Sequence, residues 1–449
     1  MEINNSTIAN TIYTVSSYFR LETDSEWQIL KCLNNPTEEH QKKLIDTLDI
    51  LISKVKPNDQ SLHQVFWKTA TSIFRKTKVK LSSGFERSMR SPPVTKSIQK
   101  SESPKDLRVV LKRTNLQCAV PFWFAVPELF DRIVLKVGEG SFADVYQIEK
   151  HNDEDRILKV IPIGEPIPNS EFLQLNFKEM AAEIYVSQEL SKLPSGKEYS
   201  CLTFPTVYKV SVVQDVYPTA AIRAWNLYSF YNGVAEDHPC PRAYSKDQAY
   251  IVIETEMAGT PLDLFKIEKF SVALSIFKQI ACGLAVAEKK LQFEHRDLHP
   301  GNILISDDYP IAAVPVVIKS RKYMIKTCSV KASIIDFTYS RITTDEGIKY
   351  IDLNDIYDPE PMSKKKFVNH KYIYAKMAEI TEGNWEDFYP KTNILWLKHI
   401  LACILHKMEA QKTRPSDKQE KSSKLCLEIQ NQAILSYNSA FEFVLKEVL

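Results

Sequence analysis

The sequence predicts an α+β fold in two lobes, β-rich over about residues 107–254 and mainly α-helical over about 259–449, behind an N-terminal helical and disordered extension. Three observations predict it. A glycine-containing hairpin (strand 133–137, turn 138–143, strand 144–148) leads into an apolar strand at 157–161 and a helical stretch at 177–193. A further strand, 250–254, runs through a short polar connector into a long amphipathic helix at 274–291. That helix delivers the chain to a loop, F-E-H-R-D-L-H-P-G-N-I-L-I at 293–305, in which acid, amide and imidazole side chains crowd between apolar anchors. Strands first and helices afterwards is the pattern of an α+β domain.

Composition bounds the class. The chain has 449 residues, of which 44% are hydrophobic and 25% charged, as in a globular protein. The net charge of +2 singles out no partner. Eight cysteines are scattered without a C-x-x-C pair. That argues against a disulfide framework or a structural zinc site and predicts a reducing, intracellular compartment. The first residues lack the basic start and apolar core of a signal peptide. No uncharged apolar run reaches the roughly 18 residues of a membrane helix, so no membrane partner is expected. Nothing in the sequence speaks to oligomeric state.

Residues 1–74 read as helical. Asn35 is placed to cap a helix, with Pro36 in its first turn and Glu38 at capping-box spacing. Leu44, Leu48, Leu51, Ile52 and Val55 then recur near helical spacing. Such a unit is either an accessory element or a partner-binding helix. Residues 75–106 are dense in Ser and Pro and strongly basic, as in S-M-R-S-P-P-V-T-K-S. They read as a disordered linker, either a solvated tether or a nuclear-localisation or nucleic-acid contact segment.

In the hairpin, Gly138, Glu139, Gly140 and Ser141 form the turn, with Val145 on the returning strand. Glycines there let backbone amides approach phosphates closely. The protein-kinase pattern G-x-G-x-x-G-x-V is met except for its third glycine, which is Ala143. Lys159 follows within an apolar strand, where a lysine needs an anionic partner or an outward face. Glu183, in the middle of the 177–193 helix beside Ile184, is the candidate partner; Glu179 and Glu189 read as solvated helix charges. In the loop, His295-Arg296-Asp297 and Asn302 keep the spacing of the kinase catalytic loop. Phosphoryl transfer needs a carboxylate to take the acceptor hydroxyl's proton and an amide oxygen to hold magnesium. Asp336, after Ile334 and Ile335, offers a second carboxylate, at the place where kinases keep the metal-binding aspartate. The interval between Asn302 and Asp336 is longer than usual and alternates like an added hairpin carrying Lys319, Arg321, Lys322, Lys326 and Lys331. D-F-T replaces D-F-G, and no A-P-E follows.

Together these features resemble the haspin family of atypical protein kinases over about residues 120–449. The stretches that carry the resemblance include A-E-I-Y-V-S-Q-E-L-S-K-L (182–193), A-I-R-A-W-N-L-Y (221–228), Y-I-V-I-E-T-E-M-A-G (250–259), the catalytic loop, S-I-I-D-F-T-Y-S-R-I (333–342) and Y-P-K-T-N-I-L-W-L-K-H-I-L (389–401). The resemblance implies an ATP- and Mg2+-dependent serine/threonine protein kinase. Asp297 would be its base, Asn302 and Asp336 its magnesium ligands, and Lys159 the phosphate clamp held by Glu183. His299 would donate to the γ-phosphate. Thr255 would be the gatekeeper, and Glu256, Met257 and Ala258 the adenine-binding hinge.

The implied substrate is a threonine near the N-terminus of the histone H three tail, with nuclear and chromosomal location and chromatin association. Where the family carries aspartates for that basic tail, this chain has Lys364, Lys365 and Lys366, which would repel it. Asp263, Asp345, Glu346, Asp352, Asp355, Asp358 and Glu360 are the remaining acids for such a wall. Two other readings compete: a small-molecule kinase of the aminoglycoside- or choline-kinase type, whose loops also read H-x-D-x-H-P-x-N, and a pseudokinase scaffold. Arg296 and D-F-T-Y-S-R weigh against the first. The filled positions Lys159, Glu183, Asp297, Asn302 and Asp336 weigh against the second.

Overall fold

The computed structural model describes residues 104–114, 116–140, 142–149, 155–164, 174–232, 239–354 and 367–449. The expected N-terminal helices, nearly all of the basic linker, Ser141 and Lys364 to Lys366 lie outside the described residues.

In chain order the elements begin with helix α1 (Pro104–Thr114) and strands β1 (Val134–Gly140), β2 (Ala143–Glu149) and β3 (Asp155–Ile163). Helix α2 (Phe177–Ser191), strands β4 (Tyr199–Ser200) and β5 (Val207–Gln214), and helix α3 (Thr219–Asn232) follow. Next come β6 (Ala249–Glu256), β7 (Thr260–Pro261), helix α4 (Phe270–Leu291) and β8 (Ile303–Ser306). Four more strands are β9 (Ala313–Ile318), β10 (Arg321–Lys326), β11 (Lys331–Ile334) and β12 (Ile342–Thr344). The chain ends with β13 (Gly347–Lys349) and helices α5 (His370–Thr381), α6 (Lys391–Ala410) and α7 (Lys418–Ala433), with short helical turns between and after them. The α+β expectation is borne out.

These elements form two units, and the chain passes from one to the other after Gln117, after Gln174 and within β5 and β6. The first unit, within Cys118–Gln174 and Val212–Val252, holds most of a five-stranded sheet of order β1-β2-β3-β6-β5. The predicted hairpin is there, but its strands run further than the sequence suggests. β1 continues through Gly140, which pairs with Ala143 at the start of β2, and the register shifts between Lys136 and Gly138. Ala143 is buried, so the residue that replaces the pattern's third glycine belongs to the core. The Lys136 side chain is fully buried against Asp144, 2.8 Å away, and also pairs with Glu139. Trp225 and Tyr228 of α3 cover that ammonium with their rings. The Tyr217 hydroxyl lies 3.3 Å from Asp144 and 3.0 Å from that of Tyr146. A buried cation is tolerable here because two carboxylates and two ring faces surround it.

The second unit contains α1, 175–211 and 253–449. Helix α4 is its axis. Ile276, Phe277, Ile280 and Leu284 are fully buried, and so are Ala273, Ala281 and Ala285. The sequence predicts an amphipathic helix; the observed one is buried nearly all round, because other elements of the unit enclose it. It is long and apolar enough to cross a membrane by length and composition alone, yet 78% of its most apolar window is buried inside the protein.

The start of the expected β-rich lobe also departs from expectation. The sequence suggests strands from about residue 107; the structure has helix α1. Leu107, Val110, Leu111 and Thr114 recur at helical spacing, and Val110, Leu111 and Thr114 are buried. α1 docks on α2, where Gln188 donates to the Arg113 carbonyl at 3.0 Å. The Arg113 guanidinium lies 3.9 Å from the Tyr185 ring centroid and pairs with Glu346. The added hairpin is present as β9 and β10, paired from Ala313↔Lys326 to Ile318↔Arg321.

Gly259 closes the connector after β6. Its φ is +106°, and a Cβ there would sit 2.1 Å from the Ile305 carbonyl oxygen. Gly259→Ala should therefore destabilise by roughly 3 kcal/mol, lowering Tm by roughly 6–12 °C in a calorimetric scan. An unchanged Tm would mean that the β7–β8 pairing does not need this close approach.

Candidate active site

The loop at 293–305 hangs from buried anchors. Phe293 is fully buried and packs edge-on against Phe204, 5.9 Å between ring centroids, and against Phe337 at 6.2 Å. Glu294 and Arg296 are both fully buried and paired at 3.1 Å. Glu294 also accepts from the Tyr389 amide at 3.0 Å and the Thr392 hydroxyl at 2.8 Å. Arg296 adopts φ +65°, a left-handed conformation that costs a non-glycine residue energy and persists only where surrounding contacts impose it.

His295 ties the loop to the segment after β11 that carries Asp336. Its Nε2 donates to the Ile335 carbonyl at 3.1 Å, and its Nδ1 accepts from the Asp297 amide at 3.3 Å. Only the neutral ring can do both. Burial agrees, pushing His295 down to about 4.

The Asp297 carboxylate accepts from the Tyr374 hydroxyl through Oδ1. Burial pushes its carboxyl up to about 7; the Tyr374 hydrogen bond opposes this and the charge of Asp336 adds to it. Asn302 donates its Nδ2 to the Asp297 carbonyl at 2.9 Å, which leaves the amide oxygen as its acceptor. The Asn302 carbonyl receives the Ile335 amide at 3.0 Å, so the two segments bearing Asn302 and Asp336 are bonded side by side. His299 accepts the Gly301 amide through Nδ1 at 3.1 Å, and burial and neighbouring His370 hold its ring below the usual imidazole range. The other ring nitrogen, Nε2, is therefore the one that carries hydrogen as a donor. Gly301 is fixed by this contact, since a Cβ would stand 2.8 Å from the His299 ring.

Asp336 also has a positive φ, +62°. Phe337, after it, packs on Phe204, Phe293 and His295. The departure from D-F-G acquires a structural meaning here. The Thr338 hydroxyl lies 2.8 Å from Asp336 Oδ1 and 3.0 Å from Glu183 Oε2. A hydroxyl has one hydrogen to give, so Thr338 sits between the two carboxylates and donates to one of them at a time.

An asparagine oxygen beside a carboxylate is a hard donor set of the kind Mg2+ takes. That ion is held by one or two carboxylates together with substrate phosphates. Among the described residues no cluster of three His, Cys, Asp or Glu offers an all-protein cage. The donor set therefore fits a magnesium ion brought in with a nucleotide, which Asn302 and Asp336 would hold.

The remaining predicted residues fall in two places. In the first unit Gly138 pairs with Val145 and Val145 with Lys159, so the three stand in one cross-strand row on the same face. Leu158 and Val160 face the core on the opposite side, and Lys159 is half-buried. At Gly138 and Gly140 a Cβ would meet only ordinary contacts, 3.8 Å or more away, and neither φ is positive. The fold does not require glycine at either position, so the backbone there is open to close approach.

In the second unit the Glu256 side chain accepts from the Thr206 amide at 3.0 Å and pairs with Lys331. Burial works against the Glu256 charge, but Lys331 prevails and holds the carboxyl below its usual range. That side chain is therefore engaged within the unit. Met257 is 46% exposed, while Ala258 is buried. Three residues escape the sequence reading: Thr338, Tyr374 and Glu294. Only Thr338 left a signal, as the last letter of D-F-T.

A family model described as "Haspin like kinase domain" matches residues 95–443. The chain is 31% identical over 314 residues to the Arabidopsis thaliana serine/threonine-protein kinase haspin homolog, covering 69% of this chain and 49% of that protein. It is 29% identical over 380 residues to the Drosophila melanogaster homolog, covering 81% and 65%. It is 32% identical over 321 residues to serine/threonine-protein kinase haspin of Mus musculus, covering 70% and 41%. The chain thus spans about half the length of the curated relatives it matches. With the match running over most of its length, the chain belongs to the haspin-like kinase domain family.

Proposed function

We propose that the chain is an ATP- and Mg2+-dependent serine/threonine protein kinase. The observation that carries this reading is the Asp297 carboxylate, anchored through one oxygen, on a loop hydrogen-bonded to the segment that ends in Asp336. Asp297 accepts the proton of the attacking hydroxyl. Asn302 and Asp336 hold magnesium, which neutralises phosphate charge when bound. Gly138, Glu139, Gly140 and Ser141 cradle phosphates beneath the hairpin, Val145 packs beside the nucleotide, and Lys159 clamps its phosphates with Glu183 as partner. His299 donates through Nε2 to the transferred group. Met257 and Ala258 present backbone to the base, alongside the Glu256 main chain.

The substrate is a protein, taken to be a threonine of the histone H three tail or of another chromatin protein, and the location the nucleus and chromosomes. Support comes from the family match and from Asp263, Asp345 and Asp352, exposed carboxylates of the second unit that suit a basic peptide. The family match disfavours the scaffold and small-molecule readings.

The test is radiolabelled phosphate transfer from ATP with magnesium, offered a histone H three tail peptide and a neutral Ser/Thr peptide. Transfer to the tail peptide is expected. Transfer confined to the neutral peptide would overturn the substrate and leave the kinase. No transfer to either, to a histone mixture or to the enzyme itself would overturn the kinase reading.

A further inference from the structure

The two oxygens of Asp297 are not equivalent. Oδ1 takes the hydroxyl hydrogen of Tyr374, 77 positions away on α5, whereas Oδ2 has no hydrogen-bond donor among the described residues. Tyr374 is itself held. Its ring stands edge-on to that of Trp396, 5.4 Å between centroids at 67°, and to that of His370 at 5.8 Å and 70°. Trp396 is fully buried in α6, donates its Nε1 to the Met377 sulfur at 3.2 Å and packs against His399 at 5.5 Å. His399 is bonded in turn to the Phe367 carbonyl. The hydroxyl therefore projects from a wall of packed rings.

A carboxylate turns easily about its Cβ–Cγ bond, because that torsion is broad and nearly two-fold. A free aspartate would present either oxygen, in a range of planes, to an incoming hydroxyl. Proton transfer tolerates little of this freedom: the base must lie within hydrogen-bond reach along a defined direction. We propose that Tyr374 is a positioning residue. Its hydroxyl fixes the rotation of the Asp297 carboxylate and reserves Oδ2 for the acceptor hydroxyl of the substrate. This rests on the reading of Asp297 as the base.

A tyrosine serving only to pack α5 against α6 would lose nothing on becoming phenylalanine, because both ring contacts survive. Tyr374→Phe should instead lower kcat about 10-fold, with the KM for ATP and the Tm unchanged. In an Asp297→Asn background the same change should have no further effect on residual transfer, since there is no base left to position. Trp396→Phe, which keeps the hydroxyl but loosens the ring behind it, should lower kcat in the same direction and by less. Tyr372→Phe, on the same helix and packed on Phe367, should match the wild type.

A kcat for Tyr374→Phe within two-fold of wild type would overturn the proposal, as would a loss that multiplies with Asp297→Asn. If Asp297→Asn alone retained turnover, the base reading would fall first, whatever Tyr374→Phe did.

Discussion

Asp297→Asn should reduce phosphate transfer by about 10²–10⁴-fold, the range that a positioned general base contributes. Asparagine keeps the shape of the side chain. Its oxygen still accepts from Tyr374, and the main-chain bonds to Asn302 and His295 remain. What disappears is the one lone pair able to take a proton in the reaction. Nucleotide affinity should stay within about two-fold, because the proposed phosphate and adenine contacts lie on other residues. Tm should not fall, since Asp297 has no cationic partner among the described residues whose charge would be stranded. Filter-binding transfer assays, titration with a fluorescent nucleotide and calorimetry read the three quantities. Turnover within 10-fold of wild type would remove Asp297 from the role of base. Lost nucleotide binding would show that the substitution acted on the site as a whole.

What was legible in the sequence was what short-range chemistry fixes. Asp297 and Asn302 stand on one loop, where five residues of chain determine how far apart two side chains fall. Lys159 was legible because strand alternation separates it from Leu158 and Val160, and the hairpin register then sets it in line with Val145 and Gly138. The added hairpin showed in the same two-residue period.

The contacts that organise the site were not legible, because they join distant positions without a local pattern. Thr338 reaches Glu183 across 155 positions, and Tyr374 reaches Asp297 across 77. Helix α4 misled for a related reason. Periodicity reports which face of a helix meets a neighbour, and this helix has neighbours on nearly every side. Arg296 supports the loop from inside the core. Its partner Glu294, two residues away, carried no pattern to mark it.

Glu294→Ala is expected to be the most destabilising single change near the catalytic loop, costing about 3–5 kcal/mol, the usual loss when one partner of a buried ion pair is removed. The structure gives the reasons. Glu294 has no solvent access, and neither has the guanidinium it neutralises. Its carboxylate also satisfies the Tyr389 amide, so alanine would strand a buried cation and that amide together, while the Thr392 hydroxyl keeps the Tyr389 carbonyl at 2.9 Å. Arg296 cannot turn to water, because Trp385 stacks at 5.4 Å from its guanidinium and the residue is fully enclosed. The left-handed turn at Arg296 is imposed by these contacts, and Asp297 follows it directly. Activity should therefore fall along with Tm.

Glu294→Gln separates the two effects. It keeps one acceptor oxygen, which serves the Tyr389 amide or the Thr392 hydroxyl but not both, and removes the charge, so it should lose less stability than alanine while still leaving Arg296 uncompensated. Chemical denaturation of the three proteins gives the ranking wild type, Gln, Ala. A loss below about 1 kcal/mol for alanine would mean that the loop finds another counter-charge for Arg296, with Asp387 the nearest candidate because its main chain already approaches the guanidinium at 3.5 Å.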